Sequence, residues 1–322
     1  MSTVLQSAVR IAVGLAAGSV FTLKLAPHLF PVKLCKNITE WKSAKNPGDA
    51  PTSVPVPSRC QQQLKEVLHK LGMAKDEKKI KLFICNGYSP TSAGATWLPN
   101  GAVIGLPKYV LFEREEDIEA SGLTFKQRSV NWKSKLAGKL KRSLLANDSN
   151  LSFLIAHELA HIQGSDVVFD APIAPIWLYA TYKLTMSTQK FLRRGPKFLD
   201  AVLKVGICGM SFVSYSITMR AIRYQREYSA DEKAATIDLG FALGGVDCMM
   251  KRLTLNTVLR VLYGEDGKRL YSEKGESLKN NSHPKITDRL RRLEKITADK
   301  LKEVGIAPEV IGGPVNITIK DE

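Results

Sequence analysis

Two histidines one helical turn apart, with a glutamate beside the first, restrict this chain more than any other feature: His157-Glu158-Leu159-Ala160-His161. Asn147 to Asn150 supplies capping residues, and Leu151 to Gln163 then reads as a helix closed by Gly164. The i,i+4 spacing puts both imidazoles on one helix face, where each can offer a ring nitrogen at about 2.0 Å to one Zn2+. Leu154, Ile155, Leu159, Ala160 and Ile162 make this a buried helix, and two buried imidazoles need a partner to offset their desolvation. The chain has five histidines (His28, His69, His157, His161, His283), so a chance match to this spacing is rare. Glu158 projects beside the metal without binding it; there it can take the proton of a water that the ion acidifies to a pKa of about 7, then deliver it to a leaving amine.

A catalytic zinc needs a third protein ligand. In the metzincin pattern it is a histidine six residues after His161, and that position is Val167, which excludes the class. The gluzincin alternative is a carboxylate from a later helix, and Tyr224 to Ala235 offers Glu227-Tyr228-Ser229-Ala230-Asp231. Glu227 and Asp231 share a face, so Glu227 can bind zinc while Asp231 accepts the other ring N–H of a ligating histidine. Glu232 points elsewhere. A surface carboxylate pair among Arg223, Arg226 and Lys233 is the plainer alternative. Further on, Ser282-His283-Pro284 precedes a helix carrying Arg289, Leu290 and Leu293. His283 can hydrogen-bond a tetrahedral oxyanion, and Arg289 can brace the site through a carboxylate.

Two apolar stretches lie between the histidine pair and Glu227. Val167 to Met186 carries only Asp170 and Lys183 as charges; Val205 to Met219 carries none and extends back to Phe198 through Asp200 and Lys204. Each is near the lower length for crossing a bilayer. Lys190, Arg193, Arg194 and Lys197 around Gly195-Pro196 give the pair a basic tip, a favourable neighbour for anionic head groups. A membrane hairpin is the reading preferred over two buried core helices. The N-terminus adds a further apolar run, Ile11 to Leu23, which Lys24 can extend towards Phe30 by snorkelling. No acidic residue occurs before Glu40, while Arg10, Lys24, Lys33 and Lys36 are basic, a transit-peptide composition. Gly14 and Gly18 have the small-xxx-small spacing that permits close helix approach in lipid.

The formal net charge of +16 calls for an acidic partner. No RNA-recognition, KH or CxxC signature accompanies it, so a lipid surface is expected and nucleic acid is not. Five scattered cysteines (Cys35, Cys60, Cys85, Cys208, Cys248) exclude a cysteine zinc site and read as reduced core thiols. With hydrophobic residues at 44% and charged residues at 24%, the 322-residue chain buries a real core.

The expected organisation is a targeting or anchor segment over 1–45, a linker over 46–58, a zinc-site domain over 59–303 with the hydrophobic hairpin at 167–219, and a tail over 304–322. Gln61 to Leu71 predicts a helix ended by Gly72 and Ile80 to Cys85 a strand. Ala95 to Leu98 and Ala102 to Leu106 predict a hairpin about Pro99-Asn100-Gly101. A strand there can serve as the edge beside which a peptide lies extended, or be a plain structural hairpin. Phe125 to Leu145 is basic around Trp132 and reads as a solvated helix face or a surface for lipid.

In this order, HELAH at 157–161, a hydrophobic hairpin, EYSAD at 227–231 and SHPKITDRLRRL at 282–293 resemble the M48 family of membrane-associated zinc peptidases, as does SAGATWLPNGAVIGLP at 92–107. The resemblance spans about residues 60–300. It implies an α+β, mainly helical gluzincin fold with a membrane-associated hairpin, Glu227 as zinc ligand, Asp231 behind it and His283 near the transition state. APHLFP at 26–31, LPNGAVIGLPKYVL at 98–111, VNWKSKLAGKLKRSL at 130–144 and GGVDCMMKRLTLNTVLRVLYGEDGKRLYSEKG at 244–275 look like the transmembrane protein 177 family. That likeness implies the mitochondrial inner membrane, several spans, and a client such as newly made cytochrome c oxidase subunit 2 with its chaperone. The leading expectation is a zinc metalloendopeptidase in inner-membrane quality control or maturation; the alternative is a non-catalytic assembly factor.

Overall fold

The computed structural model describes residues 3–43, 49–126, 128–164, 166–191, 196–279 and 283–306. Arg193 and Arg194 of the basic tip, and the tail beyond Ile306, lie outside them. In chain order the helices are α1 (Thr3–Leu29), α2 (Asn37–Thr39), α3 (Ser58–Lys70), α4 (Glu115–Ala120), α5 (Lys135–Leu144), α6 (Asp148–Gly164) and α7 (Asp166–Asp170). They continue with α8 (Ile173–Phe191), α9 (Lys197–Ala235), α10 (Leu239–Leu262), α11 (Glu265–Leu270) and α12 (Ile286–Glu303). The strands are short: β1 (Lys42–Ser43), β2 (Thr52–Ser53), β3 (Ile80–Cys85), β4 (Thr91–Gly94), β5 (Ala102–Pro107), β6 (Thr124–Phe125) and β7 (Arg128–Ser129). The protein is therefore mainly helical with small sheets.

Helix α6 is the axis of the core. From Asn150 to Ala160 every residue is buried, as expected of a helix apolar on all sides. Asn147 and Asn150 begin it by exchanging side chain to backbone hydrogen bonds, the Asn150 N–H donating to Asn147 Oδ1 at 2.8 Å and the Asn147 N–H to Asn150 Oδ1 at 3.2 Å. Glycine lets α10 press against it. A Cβ at Gly244 would lie 2.1 Å from the Ser149 carbonyl oxygen, and one at Gly245 would lie 2.6 Å from the Phe153 ring. Helices α3, α9 and α10 pack on α6, α12 packs on α9 and α10, and Leu151, Phe153, Ile155 and Leu159 share one core with Leu64, Val67, Ala234, Phe241 and Leu293.

The central sheet has the order β3-β5-β4, parallel between β3 and β5 and antiparallel between β5 and β4. The expected strand at Ala95–Leu98 is a turn instead, and its partner strand is the earlier Thr91–Gly94. The reason is Gly94, whose φ of +92° ends the strand, so that Ala95 N–H and Leu98 N–H close turns on Gly101 and Ala95 carbonyls. Gly101, with φ +64°, completes the connection where a Cβ would collide with the Lys79 carbonyl at 2.2 Å. Strand β4 is thus one edge of the sheet. The basic stretch 125–145 is part ribbon and part helix, and its Lys141 is turned into Glu115 and Glu119.

Apolar side chains also collect outside the core. Among the described residues, two helices are long and apolar enough to cross a membrane, Gln6–Leu29 and the 39-residue Lys197–Ala235. Ile11, Leu15 and Leu23 on α1, and Phe198, Val205, Met210, Phe212 and Ile217 on α9, are exposed, a surface far more apolar than water tolerates over such an area. The first arm of the expected hairpin is broken: Ala171-Pro172 separates α7 from α8, and α8 does not meet the same criterion of length and hydropathy. It packs between the other two even so. Trp177 Nε1–H donates to the Ser211 carbonyl at 3.1 Å, and the Lys24 ammonium donates to the Tyr215 hydroxyl at 3.3 Å. Cys208 is on the exposed face of α9, whereas Cys35, Cys60 and Cys85 are buried.

Candidate metal centre

Sequence places the ligand helix at 224–235 apart from the apolar arm at 198–219; in the fold both are one helix, α9. Its last turns carry Glu227 and Asp231, both buried, against α6. There Glu227 meets the histidine pair. His157 Nε2 and His161 Nε2 are 3.2 Å apart, and the two Glu227 carboxylate oxygens lie 3.7 Å from the first and 3.6 Å from the second. One ligand atom from each of the three falls within 4.8 Å of the others. Two imidazole nitrogens and a carboxylate facing one point is the donor set of a zinc site that keeps a fourth position open.

The surroundings fit an ion as well. Asp231 lies behind His157, its Oδ1 3.0 Å from His157 Nδ1, but the contact is off the N–H axis and this buried nitrogen has no aligned hydrogen-bond partner. Behind His161 stands Asp166, whose Oδ2 is hydrogen-bonded to Nδ1 at 3.1 Å. Arg289 on α12 locks the carboxylates: its Nε and Nη2 both donate to Asp231 at 2.7 Å, and its Nη1 is 3.2 Å from Glu227. His283 Nδ1 sits 3.1 Å from the other Glu227 oxygen while the residue stays half exposed. All the expected site residues, His157, Glu158, His161, Glu227, Asp231, His283 and Arg289, are thereby gathered in one place.

Charge states follow from these contacts. Burial pushes the Glu227 carboxyl up, but His283, Arg289 and His157 outweigh it and hold the group down at about 2. Burial likewise raises Asp231, and Arg289 with His157 holds it well below the usual carboxylate range. For His161 the balance runs the other way: burial lowers its pKa, and the Asp166 bond with the Glu158 and Glu227 charges raises it overall. Glu227 and Asp231 are therefore anions at neutral pH.

The cluster lines a cavity of about 1030 Å3 that also takes in Glu158, Arg289, the whole of β4 and His28. Two contributors escaped the sequence reading. Asp166 follows His161 by five residues and carries no local signal, and it is fixed by Arg226, which also pairs with Asp170. His28, at the end of α1, accepts the Gly94 N–H at 3.2 Å, so the N-terminal helix is pinned to the sheet edge.

Known proteins resemble the chain along most of its length. Human transmembrane protein 177 is 29% identical over 265 residues, 82% of either chain. The Xenopus laevis protein of that name is 27% identical over 83% of this chain and 86% of its own, and that of Danio rerio 26% over 81% and 83%. No solved structure matches. Residues 100–297, more than half of the chain and all of the gathered site residues, match peptidase family M48. The family and the His157, His161 and Glu227 cluster together suggest a metal site, and the chain belongs to peptidase family M48.

Proposed function

We propose that this chain is a membrane-bound zinc metalloendopeptidase that cuts polypeptide segments beside the mitochondrial inner membrane, in protein quality control or maturation. The single observation that carries this reading is the convergence of His157, His161 and Glu227 beside a buried Glu158 in one cavity. Zinc held by those three residues would supply a Lewis acid that polarises a peptide carbonyl and acidifies water. Glu158 takes the proton of the attacking water and passes it to the departing amine. His283, half exposed at the cavity wall, offers a ring N–H to the oxyanion. Asp166 orients the His161 imidazole through a hydrogen bond, Asp231 stands close behind His157, and Arg289 holds Asp231 and Glu227 in place.

The membrane setting rests on α1 and α9. Glu227 follows Met219, the last residue of the uncharged run, by eight positions on one helix, about 12 Å at 1.5 Å per residue. His28, at the end of the other apolar helix, lines the same cavity. A cavity at the level where two spans end receives segments that emerge from the bilayer. The mitochondrial assignment rests on the acid-free, basic N-terminus.

A second reading has its own support: the similarity to transmembrane protein 177 reaches beyond the M48 match, over 82% of the chain. In that reading the fold holds a client without cutting it, for instance newly made cytochrome c oxidase subunit 2 with its chaperone. Glu158→Gln separates the two. The enzyme reading expects cleavage of a membrane-anchored peptide in nanodiscs to fall about 10²–10⁴-fold, with loss of rescue in a cell lacking the protein. Equal rescue by the wild type and the variant ends it and leaves the holding role.

A further inference from the structure

The far end of the cavity contains a cation that the peptidase chemistry leaves unused. Arg252, on α10, lines the wall together with Tyr88, Tyr109 and Tyr271. Its Nη1 donates to the Tyr88 carbonyl and its Nη2 to Ser89 Oγ at 2.9 Å. Those bonds engage two of five guanidinium N–H groups, all with neutral acceptors. Among the described residues no carboxylate pairs with it, whereas Arg289 on the same cavity is saturated by Asp231 and Glu227, and Arg226 by Asp166 and Asp170.

Among the described residues the neighbours offer Arg252 no anionic partner either. Burial pushes the Tyr88 phenol up to about 12 and raises Tyr109 further, so both are neutral. Glu276, also on the wall, spends its two oxygens on the Ile286 and Thr287 N–H groups that begin α12, at 3.0 and 2.7 Å. Lys279 and Lys285 line the cavity as well. A half-buried guanidinium without a counter-charge carries an uncompensated desolvation cost, and a planar fork with free N–H groups matches a carboxylate.

Its place in the fold gives the site a direction. Tyr88 and Ser89 precede β4 by two or three residues, so Arg252 marks the Thr91 end of the edge strand and His28 the Gly94 end. We propose that Arg252 is a substrate-specificity residue that receives a carboxylate of the bound polypeptide, from an acidic side chain or a free C-terminus, at the Thr91 end of β4. The inference deepens the peptidase reading and rests on it for the identity of the ligand as polypeptide. Tyr88, Tyr109 and Tyr271 enclose that carboxylate in aromatic walls, where a charge-assisted bond is stronger than in open water.

Binding without turnover tests it independently of catalysis. The full chain carrying Glu158→Gln, in nanodiscs of neutral lipid, is titrated with three fluorescein-labelled alanine–leucine peptides. One is amidated and neutral, one amidated with a single glutamate, and one ends in a free carboxylate. At least one carboxylate peptide is expected to bind about tenfold more tightly than the neutral one, and which one names the source. Arg252→Gln and Arg252→Lys then remove or blunt that preference and leave the neutral peptide's affinity unchanged. Equal binding of all three peptides overturns the proposal even if both variants fail to fold. So does a preference that survives in Arg252→Gln, since the net charge of the chain would then explain it. Absence of cleavage by the wild type would count against the peptidase reading and leave this comparison intact.

Discussion

Arg289 carries more of the site than its place outside the HExxH motif suggests. Among the described residues it alone bonds both oxygens of Asp231 and reaches Glu227 at 3.2 Å. Arg289→Met removes the main counter-charge of buried Asp231 and one of the partners of Glu227, and its expected cost in urea unfolding is about 3–5 kcal/mol; a loss within about 0.5 kcal/mol would show that the network contributes little. The same contacts set an acid limit. Glu227 and Asp231 are held below their ordinary values of 4.5 and 3.8, so their contribution is complete above those values. It is lost as pH falls towards about 2. Chelator-treated protein should lose stability across that window, and Asp231→Asn should flatten the loss; identical slopes in both proteins contradict the assignment. These residues were legible in sequence because i,i+4 spacing is local: His157 with His161, and Glu227 with Asp231. Asp166, His28 and Arg252 were not, because only tertiary packing brings them to the cavity.

Elements with a marked apolar run or period were placed to within a few residues, whereas β4 and the continuity of α9 were not. The α3 pattern Leu64, Val67, Leu68 and the apolar run of β3 gave their positions to within a few residues. Strand β4 is Thr-Ser-Ala-Gly, without a branched apolar residue, and its place at the sheet edge depends on pairing with β5. The continuity of α9 was hidden by Arg220, Arg223 and Arg226, which end the apolar pattern without ending the helix. Close approach of α10 to α6 packs the helix that carries both histidines. Gly244→Ala puts a methyl group against the Ser149 carbonyl and should cost roughly 1–3 kcal/mol, read as a lower melting temperature. An unchanged melting temperature would mean that the two helices separate freely.

For the whole molecule, one continuous helix joins an exposed apolar surface to a buried carboxylate, so the candidate membrane span and the candidate metal centre share one element. Alkaline carbonate should leave the protein in the membrane pellet, and recovery in the supernatant would turn the exposed faces of α1 and α9 into a protein interface instead. The net charge of +16 favours anionic lipid around the bundle. Everything functional depends, however, on three side chains from two helices holding one ion. Metal content of the purified full-length chain measures that directly. The account predicts about one zinc per chain, retained by Glu158→Gln and lost from His161→Ala and from Glu227→Ala. Zinc absent from the wild type, or undiminished in Glu227→Ala, contradicts it.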